Sequence, residues 1–244
     1  MNSADTWHPV GLSQSVEAGS SAGTHLFGQE LVVWRDAGGV AHVWEDRCPH
    51  RGMKLSFGFV RGDHIACLYH GWQYDRAGYC QYIPAHPDLD VPKTFKVPVY
   101  LTKEQGGMIW TVLSANPPPL PDNQEQTVPL RSLYLDCAVS TAIVALEATE
   151  LVPFASEGSA DTVVRRATDT LFEVSSGQDR ILVGIQEISE MRTALHLAIC
   201  GLPNLYEGAG QNHFLDWALR LRYAIEHPDR RAVAGRAVGA AGAI

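Results

Sequence analysis

The sequence predicts an α+β protein in two parts: an antiparallel β domain over residues 1–115, then a second α+β domain over residues 130–229, in which a helix packs on an antiparallel sheet. Three observations predict it. Short β-rich runs separated by Gly-containing turns fill the first half. Pro117, Pro118, Pro119 and Pro121 fall within the polar stretch Ser114–Pro129, so residues 116–129 read as a semi-rigid linker. Near the C-terminus the apolar period changes from that of strands to that of a helix.

The elements follow in order. Leu31 to Trp34 is β-rich, Asp36 to Gly39 marks a turn, and Val40 to Trp44 alternates, so residues 29–45 read as two strands around a turn. Further strands are expected at Phe59-Val60, at His64 to Cys67, at Trp72 to Tyr74, at Val97 to Leu101 and at Met108 to Leu113. In the second part, strands are expected at Val163 to Ala167, Thr170 to Val174, Arg180 to Ile188 and Ala194 to Ile199. Then Asn212 reads as a helix cap, Phe214, Trp217, Ala218, Leu221, Ala224 and Ile225 as an apolar stripe, and Pro228 as the stop. Residues 230–244 form an Ala/Gly-rich tail expected to fray.

Composition excludes several classes of function. The net charge is -8. Residues 1–115 hold 9 Lys/Arg against 11 Asp/Glu, a net of -2, and residues 116–244 hold 10 against 16, a net of -6. Neither half has the basic stripe that nucleic-acid binding requires, and the acidic second half disfavours an anionic membrane surface. The longest mostly apolar run, Ile181 to Cys200, is interrupted by Gln186, Glu187, Glu190 and Arg192, so no membrane span is expected. The N-terminus has neither a basic start nor an apolar core segment, which predicts no signal peptide and a cytoplasmic location. Five cysteines are too few for a disulfide scaffold of this length. Cys80, Cys137 and Cys200, flanked by apolar or aromatic residues, read as buried free thiols.

The informative segment is Cys48-Pro49-His50-Arg51-Gly52, sixteen residues from Arg51 to Ala66, and Cys67-Leu68-Tyr69-His70-Gly71-Trp72. Two Cys-His pairs suit a site of two unlike irons, with Cys48 and Cys67 on one and His50 and His70 on the other. Neutral imidazoles in place of anionic thiolates raise the potential of such a cluster to roughly -150 to +300 mV. Gly52 and Gly71 would let the backbone turn tightly beside it. A structural zinc site uses the same residue types, but C-x-H…C-x-x-H is not zinc-finger spacing, and no recognition helix follows. Tyr69 and Trp72 read as packing over the cluster rather than as relays.

At these residues the chain resembles the Rieske domain of the aromatic-ring-hydroxylating and demethylating oxygenases. Trp7-His8-Pro9-Val10 is similar to that family's N-terminal entry, and Gly107-Met108-Ile109-Trp110 to the strand that closes its Rieske domain. The resemblance implies a Rieske [2Fe–2S] cofactor on Cys48, His50, Cys67 and His70, with reduced ferredoxin or a reductase as electron donor.

The resemblance also implies a second domain with a mononuclear iron, held by two histidines and a carboxylate. The family's histidine helix, N-x-x-D-x-x-H-x-P-F-x-H-x-G-[ST], aligns with Ala145 to Ser159 through Pro153-Phe154 and Gly158-Ser159. The two histidine positions are Leu151 and Ser156, and the family's bridging carboxylate position is Ala148. After the Rieske motif only His86, His196, His213 and His227 remain, with Asp216 as a weak counterpart of the third ligand. Mononuclear Fe(II) is therefore expected to be absent from this chain, and the second domain to be a shortened, degenerate oxygenase domain without catalytic residues. The expected role is an electron-transferring subunit of a hetero-oligomeric oxygenase, in a trimer or hexamer with a catalytic partner. A complete oxygenase with a rearranged iron site and a structural subunit with a vestigial cluster are the alternatives.

Overall fold

In the computed structural model, residues 5–120, 122–123, 125–156 and 160–227 are described. The chain divides into two units between Glu125 and Gln126. Among the described residues the first unit holds ten strands: β1 (His8–Leu12), β2 (Ser21–Leu26), β3 (Gln29–Arg35), β4 (Ala41–Glu45), β5 (Phe59–Arg61), β6 (His64–Ala66), β7 (Gln73–Tyr74), β8 (Cys80–Tyr82), β9 (Val99–Gln105) and β10 (Met108–Val112). They form a six-stranded sheet in the order β1-β10-β9-β4-β3-β2 and a four-stranded sheet β5-β6-β7-β8, and every pair is antiparallel.

The hairpin expected over residues 29–45 is β3–β4. Its turn is held by the buried Asp36, whose Oδ1 accepts the Val40 N–H at 2.9 Å. Inward residues of both sheets close on one core. Val32, Trp34 and Trp44 from the larger sheet pack with Leu55, Ile65 and Tyr74 from the smaller sheet and its lead-in, and Cys48 and Cys67 belong to the same cluster. Burying each such side chain stabilises the fold by roughly 1.5–3 kcal/mol, and this core fixes where the two cysteines lie. Strands β1, β2 and β8 were not expected. The sequence of β2, Ser-Ala-Gly-Thr-His-Leu, has little strand propensity of its own, and pairing with β3 from Ser21↔Trp34 to Leu26↔Gln29 makes it a strand.

The second unit runs β11 (Thr127–Leu135), α1 (Val139–Glu147), β12 (Thr162–Arg166), β13 (Leu171–Ser176), β14 (Asp179–Ser189), β15 (Arg192–Cys200), a single turn α2 (Pro203–Tyr206) and α3 (Ala209–Glu226). Its antiparallel sheet has the order β11-β15-β14-β13-β12. Alternation along β15 puts Leu195, Leu197 and Ile199 into a core with Val183 and Ile185 of β14 and with Phe214, Trp217 and Leu221 of α3. The helix-on-sheet architecture is the one the sequence predicts.

Several boundaries differ from expectation. Strand β11 starts at Thr127, inside the stretch read as linker. Pro129 is accommodated because β11 is an edge strand and its register shifts between Pro129 and Arg131. Helix α1 begins ahead of the segment aligned with the family's histidine helix, and its Val, Thr and Ile residues carry little helical preference; the burial of Ala142, Ala145 and Leu146 at helical spacing decides for the helix. Asn212 is not the cap of α3. The helix starts at Ala209, the Asn212 N–H already bonds to Gly208 O at 3.0 Å, and Gln211 Oε1 accepts the Gly208 N–H at 3.0 Å. Within the expected stripe, Phe214, Trp217, Ala218, Leu221 and Ile225 are buried, while Ala224 is only half-buried. Pro228 and the tail from residue 230 lie outside the described residues. No described helix is long and apolar enough to cross a membrane.

Candidate metal centre

Two six-residue loops of the first unit share one backbone design. In the first, Cys48 N–H donates to Met53 O and Gly52 N–H to Cys48 O, each at 2.8 Å; in the second, Cys67 N–H donates to Trp72 O and Gly71 N–H to Cys67 O, each at 2.9 Å. Closing such a loop needs a left-handed fifth residue, and Gly52 (φ 74°) and Gly71 (φ 68°) supply it. A Cβ on Gly71 would lie 3.0 Å from Pro84 Cγ, so the second loop is also fitted against its surroundings. The first loop follows β4, and the second leads from β6 into β7.

The loops bring the four singled-out residues into two pairs. Cys48 and Cys67 are buried in the core, His50 is half-buried, and His70 is exposed. The imidazoles of His50 and His70 have ring centroids 4.6 Å apart. Trp72 stacks on His50 at 4.3 Å with an interplanar angle of 6°, and Tyr69 stacks on His70 at 3.8 Å. The site thus has a sulfur side turned into the protein and a nitrogen side turned to the surface.

Hydrogen bonding sets the electrostatics of the sulfur side. Interaction with Cys67 is the largest influence on Cys48, followed by burial, which opposes it, and then by the Tyr74 hydroxyl and the His50 and Arg51 N–H groups; together they pull the Cys48 thiol down to about 6. The paired proton stays on Cys67, whose thiol is raised chiefly by Cys48 and by burial, although Tyr69 and His70 N–H groups also reach its sulfur. Backbone donors therefore point at both sulfurs, as they should where sulfur carries negative charge. The His50 pKa is lowered, first by desolvation and then by His70 and Arg51, which favours the neutral imidazole that a metal needs. Two thiols and two imidazoles, with donors aimed at the sulfurs, are a donor set able to hold a mixed-ligand iron–sulfur cluster.

Tyr74 is a site residue that sequence reasoning passed over. Its hydroxyl lies 3.0 Å from Cys48 Sγ in the buried core. The signal was the strand alternation of β7, which leaves Gln73 half-exposed and turns Tyr74 inward.

The second unit does not follow the alignment with a histidine helix. Helix α1 ends at Glu147, Ala148 is exposed at its C-cap, and the described residues 149–156 are not helical. Leu151 is buried in the core, and its N–H donates to Thr162 Oγ1 at 2.8 Å. Ser156 Oγ accepts the Gln178 N–H at 3.1 Å. The turn between these residues is pinned by the buried Asp179, whose Oδ2 accepts the Phe154 and Ala155 N–H groups at 2.6 and 2.9 Å and whose Oδ1 accepts the Tyr206 hydroxyl at 2.7 Å. The loop is held by hydrogen bonds that a continuous helix would have to break. Gly158 and Ser159 lie outside the described residues.

His196, His213 and Asp216 are not brought together. Leu195 and Leu197 share the core with Phe214 and Trp217 of α3, so His196, between them on β15, faces the other side of the sheet. Its Nδ1 lies 2.8 Å from Ser132 Oγ and its Nε2 2.8 Å from Gln186 Oε1, which leaves neither ring nitrogen for a metal. His213 Nε2 lies 2.8 Å from the Val152 carbonyl. Among the described residues no group of three or more His, Cys, Asp or Glu gathers on a single metal ion. All five cysteines are buried and free.

Residues 6–100 match the family model of the Rieske [2Fe-2S] domain. Over 120 residues the chain is 38% identical to oxidoreductase NdmD of Pseudomonas putida, covering 48% of this chain and 20% of NdmD. Over 115 residues it is 40% identical to methylxanthine N1-demethylase NdmA of Pseudomonas putida, covering 45% of this chain and 32% of NdmA. The matches thus span less than a third of each of these two curated relatives. In fold, the crystal structure of dicamba monooxygenase bound to dicamba superposes with a TM-score of 0.75 at 17% identity, covering 99% of this chain and 92% of that one. At that identity the likeness speaks for the fold alone.

Proposed function

We propose that this chain, whose residues 6–100 match the Rieske [2Fe-2S] domain, is the electron-transferring subunit of a hetero-oligomeric oxygenase of the non-haem iron kind. Cys48 and Cys67 would hold one iron of the cluster, and His50 and His70 the other. When bound, such a cluster accepts and releases one electron at a time. The chain's own residues exclude water from the sulfurs, aim N–H and O–H donors at them, and present the imidazole edge to the surface. The observation that carries the reading is this polarity of the site, in a chain that has Leu151 and Ser156 where the family's iron-binding histidines align.

On this reading the electron leaves through His50 or His70 to a mononuclear iron held by a partner subunit, which performs O₂-dependent hydroxylation or demethylation. Ferredoxin or a reductase supplies the electron. Position 148 is Ala and carries no acid, so the partner would place a carboxylate of its own beside its iron, facing the imidazole edge.

The reading is tested in two steps. Reduced protein should give a Rieske paramagnetic spectrum, with an average g value below that of an all-Cys cluster, and His70→Cys should lower its potential. Stoichiometric zinc, with no iron and sulfide in anaerobically purified protein, would refute it. The protein is then mixed with a catalytic subunit that holds a His₂-carboxylate iron, with Cys48→Ser as control. Wild type should support turnover only with the partner, and Cys48→Ser should not. Equal support by Cys48→Ser would make the chain a structural subunit. Turnover by the wild-type chain alone would make it a complete oxygenase.

A further inference from the structure

The sheet of the second unit has two edges, and they are built differently. Edge strand β11 carries Pro129 and a register shift between Pro129 and Arg131, two devices that blunt an edge against further pairing. Edge strand β12 has neither. Thr162 to Arg166 pair with Ser176 to Phe172 of β13 without a shift, and among the described residues no strand pairs with the other side of β12. The Ala167 N–H donates to Leu171 O at 2.9 Å, in register with that ladder. Alternation from Ala167 turns the main-chain N–H and C=O groups of Arg165 and Val163 towards β13, and those of Thr162, Val164 and Arg166 outward.

The side chains alternate as well. Thr162 and Val164 face the core: Thr162 Oγ1 accepts the Leu151 N–H, and Val164 packs against the core cluster. Asp161, Val163 and Arg165 are exposed on the opposite face, Val163 at 57%. Asp161 takes part in no ion pair among the described residues. Arg165 lies 3.4 Å from Glu173 Oε2, an oxygen it shares with Arg180 at 3.3 Å.

We infer that β12 is a docking edge for β12 of a second copy of this chain, the two strands forming an antiparallel two-fold pair with Val163 opposite Val163. Main-chain direction and charge together select this register. In it, Thr162 and Val164 of the second copy exchange N–H···O bonds through their outward groups, and the exposed valines meet at a non-hydrogen-bonded position, where side chains come closest. Asp161 falls opposite Arg165 of the second copy, twice by symmetry, and opposite charges facing across a ladder stabilise it. Centring the pair on Val164 would set Arg165 against Val163 and Asp161 against Ala167, with no ion pair. Centring it on Arg165 would set the two arginines against each other. Within one chain the two charges do not meet, because Asp161 and Arg165 stand four residues apart on an extended strand, about 13 Å. A ladder of five residues buries little area, so the pair is weak and concentration-dependent. The inference concerns the second unit alone and does not depend on the cluster.

The test follows the mass of the full chain by sedimentation velocity over a range of concentrations. Wild type should show a reversible doubling of mass, weakened by salt as the ion pairs are screened. D161R sets like charges opposite each other at both symmetry-related positions and should weaken the doubling at least about tenfold, and R165D should do the same with the opposite sign. An equimolar mixture of folded D161R and R165D should recover the doubling, because each variant supplies the charge that the other lacks. V163K sets two ammonium groups at the two-fold centre and should abolish it. D161R and V163K change exposed side chains only, so they carry the test if R165D does not fold, which circular dichroism reports. Amide hydrogen exchange at Thr162, Val164 and Arg166 should slow as the protein concentration rises. Protection that is the same at every concentration would mean that a segment of the same chain covers the edge, and would overturn the inference. So would the absence of doubling in wild type, doubling untouched by D161R and V163K, or a mixture of folded variants that associates no better than either one alone.

Discussion

The Tyr74 hydroxyl lies 3.0 Å from Cys48 Sγ, and both residues are buried. The Tyr74 proton is held tightly, since burial and the neighbouring Cys48 raise its pKa, so in this contact the hydroxyl donates and a thiolate sulfur accepts. An O–H donor fixed on a cluster sulfur stabilises the reduced, more negative state more than the oxidised one. Tyr74→Phe removes the donor and keeps the ring in the core. A hydrogen bond with a net worth of about 1 kcal/mol corresponds to about 40 mV for a one-electron couple. Redox titration should therefore place the potential of Tyr74→Phe lower by that order, and an unchanged or raised potential would show that the hydroxyl does not act on the cluster.

Leu151 stands at an aligned ligand position but behaves as a core residue. It packs in the cluster that contains Leu146, Val174 and Trp217. Leu151→Ala should destabilise the second unit by about 2–5 kcal/mol, the usual range for a buried Leu that leaves a cavity. Denaturant unfolding followed by tryptophan fluorescence reads this in a background with Trp7, Trp34, Trp44, Trp72 and Trp110 replaced by Phe, because Trp217 is the remaining tryptophan and lies in the same core. A loss below about 0.5 kcal/mol, the range of a surface site, would mean that Leu151 is not packed as described.

Iron content separates the readings of the second unit. Anaerobically purified protein should hold two irons per chain, both lost together with the sulfide in Cys48→Ser. His196→Gln and His213→Gln should leave the count at two, because both ring nitrogens of His196 and Nε2 of His213 are engaged by protein atoms. A third tightly bound Fe(II) that either substitution removes would establish a rearranged iron site.

His196 makes the second unit acid-sensitive. Burial alone lowers its pKa to about 4 from the ordinary value of 6.5. Gln186 Oε1 must accept from Nε2–H, so Nδ1 accepts from the Ser132 hydroxyl, and a second ring proton would break that bond. Between pH 6.5 and about 4 the unfolded chain binds the proton and the folded chain does not. Stability is thus fully present above pH 6.5 and falls with pH across that window, by up to about 3 kcal/mol. Denaturation of wild type at stepped pH should show this slope, and His196→Gln should lose it; an equal slope in both would place the acid sensitivity elsewhere.

How much was legible before the fold differs between the two halves for a physical reason. The metal motif could be read because its chemistry is local: Cys48 and His50, and Cys67 and His70, each lie within one short loop, and each loop closes on a glycine whose need for positive φ is written in its residue type. The β3–β4 turn and the apolar face of α3 were legible for the same reason, since turn residues and a 3.6-residue period are short-range signals. What the sequence did not carry depends on partners distant along the chain. β2 is a strand because β3 lies beside it, and α1 is a helix because the core accepts Ala142, Ala145 and Leu146. The loop of residues 149–156 escapes the aligned helix because the carboxylate of Asp179, more than twenty residues on, binds the Phe154 and Ala155 N–H groups. Tyr74 becomes a neighbour of Cys48 across a separation of 26 residues only when β7 turns it inward. Residue types and spacing determined which atoms this chain offers to a metal; packing decided which sulfur receives a hydroxyl and which histidine edge meets the surface, because burial and hydrogen-bond geometry belong to the folded surroundings and not to any one residue.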